Sequence, residues 1–85
     1  MPQVRMTTDM VSEYEAGDYV IFKEVVVKGI EVTIIAERNC ADSEFEVEEI
    51  LIDDQNIVPL MDTKLVDDLN ETINLVMAEF IRRIA

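Results

Sequence analysis

Tyr19-Val-Ile-Phe-Lys-Glu-Val-Val-Val-Lys-Gly-Ile-Glu-Val-Thr-Ile-Ile-Ala-Glu-Arg38 decides the fold. Its β-branched and aromatic residues lie in two short runs around Gly29, which reads as two strands rather than one helix. Over 30–38 the alternation is clean. Ile30, Val32, Ile34 and Ala36 fall on one side, Glu31, Thr33, Ile35 and Glu37 on the other. Over 19–28, Tyr19, Ile21, Val25 and Val27 share one face, and Val20, Phe22 and Val26 share the other. Both faces are then partly apolar, as in a central or interface strand. Lys28-Gly29 closes a β-hairpin whose turn type stays open.

Downstream, Asn39-Cys-Ala-Asp-Ser43 reads as a loop and Glu44–Ile52 as a third strand. Phe45 and Val47 point one way, then the phase slips and Ile50 and Ile52 take over that face. A β-bulge at Glu48-Glu49 restores a single apolar side, as does a twisted edge strand. Asp53–Asn56 has turn composition, and Pro59 keeps Val58 extended. Residues 62–84 project as an amphipathic helix. Leu65, Val66, Leu69, Ile73, Val76, Met77, Phe80 and Ile84 fall within one arc of about 120°, while Asn70 and Asn74 lie outside it. Asp62 or Thr63 can cap its N-terminus, and Arg82 and Arg83 suit its last turn.

Upstream, residues 1–17 read two ways. Val4 and Met6 alternate like a short strand that pairs with the hairpin; Met10, Val11 and Tyr14 could instead line one helical turn. The expected fold is α+β: one domain, with a three- or four-stranded antiparallel sheet and one C-terminal helix packed on a face.

The 85 residues carry 7 Lys+Arg and 19 Asp+Glu, a net charge of −12, with 49% hydrophobic residues. That apolar content excludes a disordered acidic tail. The chain has no histidine, which removes the commonest general base and metal ligand. One cysteine, Cys40, permits no internal disulfide and fits a reducing, cytoplasmic setting. Residues 1–20 do not read as a signal peptide, and no run reaches the ~18 apolar residues of a membrane span. Few, scattered cations disfavour direct nucleic-acid binding.

Seven acids cluster at Asp42, Glu44, Glu46, Glu48, Glu49, Asp53 and Asp54. On a regular strand Glu44, Glu46 and Glu48 would project from one face about 7 Å apart, a spacing similar to that of nucleic-acid phosphates. The plainer reading is a solvated face that keeps an edge strand from pairing. A calcium loop counted from Asp53 fails, with Val58 where Gly belongs and Lys64 where Glu belongs. No residue set specifies a catalytic site, a cofactor or a metal. Cys40 beside Arg38 reads as a tolerated thiol, and the sequon Asn70-Glu-Thr72 reads as chance inside a helix. Leu75 falls on the polar side of the helix and Ile81 at the edge of its apolar arc. With Phe22 on the two-faced strand, they are expected as apolar contacts in a homodimer or with a partner.

The order of hairpin, acidic strand, Ile52-Asp-Asp-Gln-Asn-Ile57, Pro-Leu stop and Asp62-Thr-Lys-Leu-Val-Asp-Asp-Leu-Asn-Glu-Thr-Ile73 resembles small acidic proteins encoded by bacteriophages. The likeness is one of pattern and covers residues 18–80. It implies a protein of the infected bacterium's cytoplasm. The understood members of that group are stoichiometric inhibitors of host machinery, including anti-restriction and anti-CRISPR factors, and some are DNA mimics. The expected function is thus a non-enzymatic acidic protein that binds and inhibits a host protein, such as a basic nucleic-acid-binding one. The alternative is a homo-oligomeric structural or accessory protein whose acids only keep it in solution.

Overall fold

The computed structural model describes residues 4–15, 18–40 and 42–84. Residues 1–3, 16 and 17 of the two-way N-terminal segment, Ala41 of the 39–43 loop and Ala85 lie outside the described residues. The strands are β1 (Val4–Arg5), β2 (Val11–Tyr14), β3 (Tyr19–Val27), β4 (Ile30–Glu37), β5 (Glu46–Ile52) and β6 (Gln55–Asn56), followed by helix α1 (Thr63–Ile84). All pairings are antiparallel. Strands β1 and β2 run along the same edge of β3; β4, β5 and β6 follow on the other side.

The α+β class with one C-terminal helix holds, but among the described residues the sheet has six strands rather than three or four. Two local features account for the difference. A 3-10 turn at Thr8–Met10 divides the N-terminal segment into β1 and β2. The strand reading holds at Val4, whereas the helical turn through Met10, Val11 and Tyr14 is corrected, since Val11 and Tyr14 lie on β2 and pair with β3. The Asp53-Asp54 turn then returns the chain as the two-residue β6. Asp53 and Asp54 have φ of 51° and 66°, the pairing of a type I′ hairpin turn, which Asp tolerates better than most side chains. Lys28 and Gly29, at 50° and 81°, make the same turn between β3 and β4.

Irregular pairing resolves both phase problems. Ile35 faces Glu49 and Ala36 faces Val47, so Glu48 is the extra residue of a bulge. Val47, Ile50 and Ile52 thereby keep one side. A second bulge lies at Lys23-Glu24, two residues opposite Thr33 alone, with Glu24 at φ 63°. It brings Val20, Phe22, Val25 and Val27 to a single face, where all four are buried. The expectation of two apolar faces on β3 is corrected accordingly: a strict period of two cannot anticipate an inserted residue. Phe22 is fully buried and belongs to the core, not to a contact surface.

That face packs against Leu65, Leu69, Ile73 and Met77 of α1 in one core cluster. Asp62 caps the helix, its Oδ1 accepting the Lys64 N–H at 2.9 Å. Twenty-two residues span about 33 Å, close to the molecule's 34 Å long axis. At the far end Phe80 meets Tyr14 edge-to-face at 5.6 Å, and Arg83 donates to Thr8.

The outer edge of β5 is closed by asparagine side chains. Asn74 Oδ1 accepts the Phe45 N–H at 2.8 Å, and its Nδ2 donates to the Phe45 carbonyl at 3.0 Å. Asn70 Oδ1 accepts the Val47 N–H at 2.7 Å, and Asn56 Oδ1 accepts the Ile50 N–H at 3.2 Å. The Asn74 amide thus does for Phe45 what a neighbouring strand would do. An edge that would recruit another chain is blunted. Truncating Asn74 to Ala leaves two part-buried backbone groups unpaired. The expected loss is about 1–3 kcal/mol of unfolding free energy, measured by urea denaturation, with concentration-dependent association of the freed edge visible by light scattering.

Candidate partner-binding face

With α1 on one face, the register defines what the opposite, open face carries. Residues directly opposed across strands point to the same side. One row reads Glu13, Ile21, Ile35, Glu49 from β2 to β5. Neighbouring rows read Tyr19, Glu37, Glu46 and then Thr33, Leu51. Towards β1 the row is Arg5, Val26, Glu31. Tyr19, Ile21, Val26, Ile35 and Leu51 are half-exposed and stand outside the core cluster. The face is therefore an apolar centre on β3 and β4, bordered by carboxylates and, at the β1 end, by Arg5.

Glu37 and Glu46 are directly opposed. Like charges in that position destabilise a sheet, with Cβ atoms about 5 Å apart. No cation relieves them: among the described residues the ion pairs are those of Arg82 and Arg83 with Glu79. Arg38, next in sequence, makes its contacts with aromatic side chains instead. Its guanidinium lies 4.4 Å from the Phe45 ring centre and donates to Tyr14 Oη at 3.0 Å. The cation packs on two aromatic rings and, among the described residues, forms no ion pair with the carboxylates beside it.

Glu44, Glu46 and Glu48 do not form the evenly spaced ladder expected of them. Strand β5 begins at Glu46, and Glu48 is the bulged residue. The three still line one shallow hollow of about 410 Å3 with Glu37 and Arg38. Glu49 borders the open face. Asp42 is exposed in the loop. Asp53 and Asp54 turn the chain at the other end of β5, about 20 Å away by strand rise, so the seven acids do not converge on one site. Among the described residues no group of three or more Cys, Asp and Glu side chains could hold a metal ion. Leu75 is exposed on the helix, at 69%, whereas Ile81 is half-buried against the core.

Two groups here have shifted proton affinities. Tyr19 Oη donates to Glu13 Oε2 at 3.2 Å; that bond, then the charge of Glu13, raises the phenol above its usual value. The Cys40 thiol is lowered, chiefly by its 3.2 Å hydrogen bond with Ser43 and then by backbone N–H groups. Sequence reading missed Tyr19 and Ile35 because it ranked acids by proximity along the chain. The strict alternation of 30–37 already placed Ile35 opposite the core-facing residues.

Comparison with protein families, with curated proteins and with solved structures finds no match to this chain. Among the described residues no helix is long and apolar enough to cross a membrane.

The Tyr19 bond needs the phenol's proton. Its contribution is present below the ordinary tyrosine value of about 10 and is lost as pH rises through the raised one. Ultraviolet titration is expected to show a tyrosine ionising above that value, and Glu13→Gln is expected to bring it down.

Proposed function

We propose that this chain is a small non-enzymatic binding protein, phage-encoded, whose open sheet face occupies a basic surface of a host protein and thereby inhibits it. The observation that carries this reading is the row Glu13, Ile21, Ile35, Glu49, apolar in the middle and acidic at both ends. That is the anatomy of a recognition surface, an apolar centre within a polar rim. A net charge of −12 speeds encounter with a basic target. A cation brought between Glu37 and Glu46 would remove their repulsion, so binding gains where the free protein is destabilised.

The broken Glu44–Glu48 ladder favours a mixed apolar and electrostatic contact over strict imitation of a phosphate backbone. The target class is then a nucleic-acid-binding protein whose basic surface also offers apolar side chains. The homo-oligomeric alternative has one observation of its own: exposed Ile30 and Leu60 at the hairpin end of the sheet.

Capture from bacterial lysate tests the reading. The wild-type chain is expected to retain one stoichiometric basic protein at low salt and part of it at about 0.5 M salt, where the screening length is only a few ångströms. Ile21→Thr with Ile35→Thr is expected to weaken that capture about tenfold or more. A Glu37→Gln, Glu46→Gln, Glu49→Gln variant is expected to lower the association rate and flatten its salt dependence. Capture unchanged by both variants would overturn the reading.

A further inference from the structure

We propose that the chain also dimerises end to end, through an apolar socket at the β3–β4 hairpin tip that takes Leu60 of a second copy. The hollow, about 230 Å3, is lined chiefly by Val32, Ile50, Ile52, Ile57, Met61 and Leu65. A cavity of about 150 Å3 accommodates benzene, so this one has room for a leucine side chain. Among the described residues, two of the four exposed large hydrophobic ones stand on its lip, Ile30 at 54% and Leu60 at 86%.

Leu60 is held out rather than dangling. It ends the 3-10 turn Val58–Leu60, which Pro59 stiffens. The Leu60 and Met61 N–H groups donate to the carbonyls of Ile57 and Val58, and Asn56 Oδ1 holds the Val58 N–H. A fixed apolar knob beside an apolar hollow is the self-complementary arrangement that a two-fold interface uses.

Charge selects the occupant. The ionisable residues lining this hollow and the smaller one beside it are Lys28, Lys64, Asp62 and Asp68, two of each sign. On a chain of −12 this balanced patch lets two copies meet without the repulsion that the open face would impose. Under a two-fold axis the lysines of one copy can face the aspartates of the other. The lining of the hollow gives a basic host protein no steering, the carboxylates of the Asp53-Asp54 turn standing outside it. The proposal is independent of the open-face reading, since the two surfaces share no residue.

Sedimentation equilibrium of the full chain over about 1 μM to about 1 mM tests it. The mass is expected to rise with concentration from 9.7 kDa to twice that value. Leu60→Ser, at an exposed position, is expected to keep the circular dichroism spectrum and weaken dimerisation about tenfold or more. Lys64→Asp should also weaken it, and adding Asp68→Lys should restore it. A monomer at every concentration would overturn the proposal, as would a dimer indifferent to Leu60→Ser. Lysate capture by Leu60→Ser that equals wild type leaves the open-face reading standing, so the two fail separately.

Discussion

The two hydrogen bonds between the Asn74 amide and the backbone of Phe45 fix how the helix meets the sheet. A helix of this size can slide over an apolar face, because hydrophobic burial has little directional preference. Amide bonds to one named backbone residue remove that freedom. With Asn70 one turn away on Val47, α1 is registered against the start of β5 and against Phe45 just before it. The helix then buries Leu65, Leu69, Ile73 and Met77 over the sheet centre and brings Phe80 to Tyr14. The same contact denies the β5 edge to other strands and leaves the opposite face of the sheet as the broad surface for a partner.

Much of this was legible in the chain. The hairpin, the helix and the bulge at Glu48 follow from β-branched runs, a 3.6-residue period and a single slip of phase. The six-strand count did not follow, because two-residue strands such as β1 and β6 carry no periodic signal. The bulge at Lys23-Glu24 was hidden for another reason. Val25, Val26 and Val27 are all apolar, so either phase looks acceptable until a partner strand chooses one. Asn70 and Asn74 were read as outward polar residues. Their signal was chemical rather than periodic: two poor helix formers, four residues apart, inside an otherwise strong helix.

The candidate face was harder to see than the fold. Seven acids within thirteen positions suggested one cluster, yet a strand carries its two ends far apart, and Asp53 and Asp54 serve a turn. The residues that the sheet does assemble come from four strands: Glu13, Ile21, Ile35 and Glu49. No short window of sequence contains them, because cross-strand rows depend on register, and register here depends on bulges at Ser12, at Lys23-Glu24 and at Glu48. Arg38 adds a second lesson. A cation beside Glu37 in sequence looks like its partner, but the guanidinium packs on Phe45 and Tyr14 instead.

Amide hydrogen exchange at Phe45 and Val47 tests the central claim most directly. An open edge strand exchanges its outward N–H groups quickly, whereas one clamped by the helix opens only when the helix leaves. Phe45 and Val47 are expected to exchange as slowly as the interior amides of β4. Exchange as fast as that of the exposed Asn39 and Cys40 loop positions would show that the asparagines do not hold the edge, and would contradict this account of how the helix is placed.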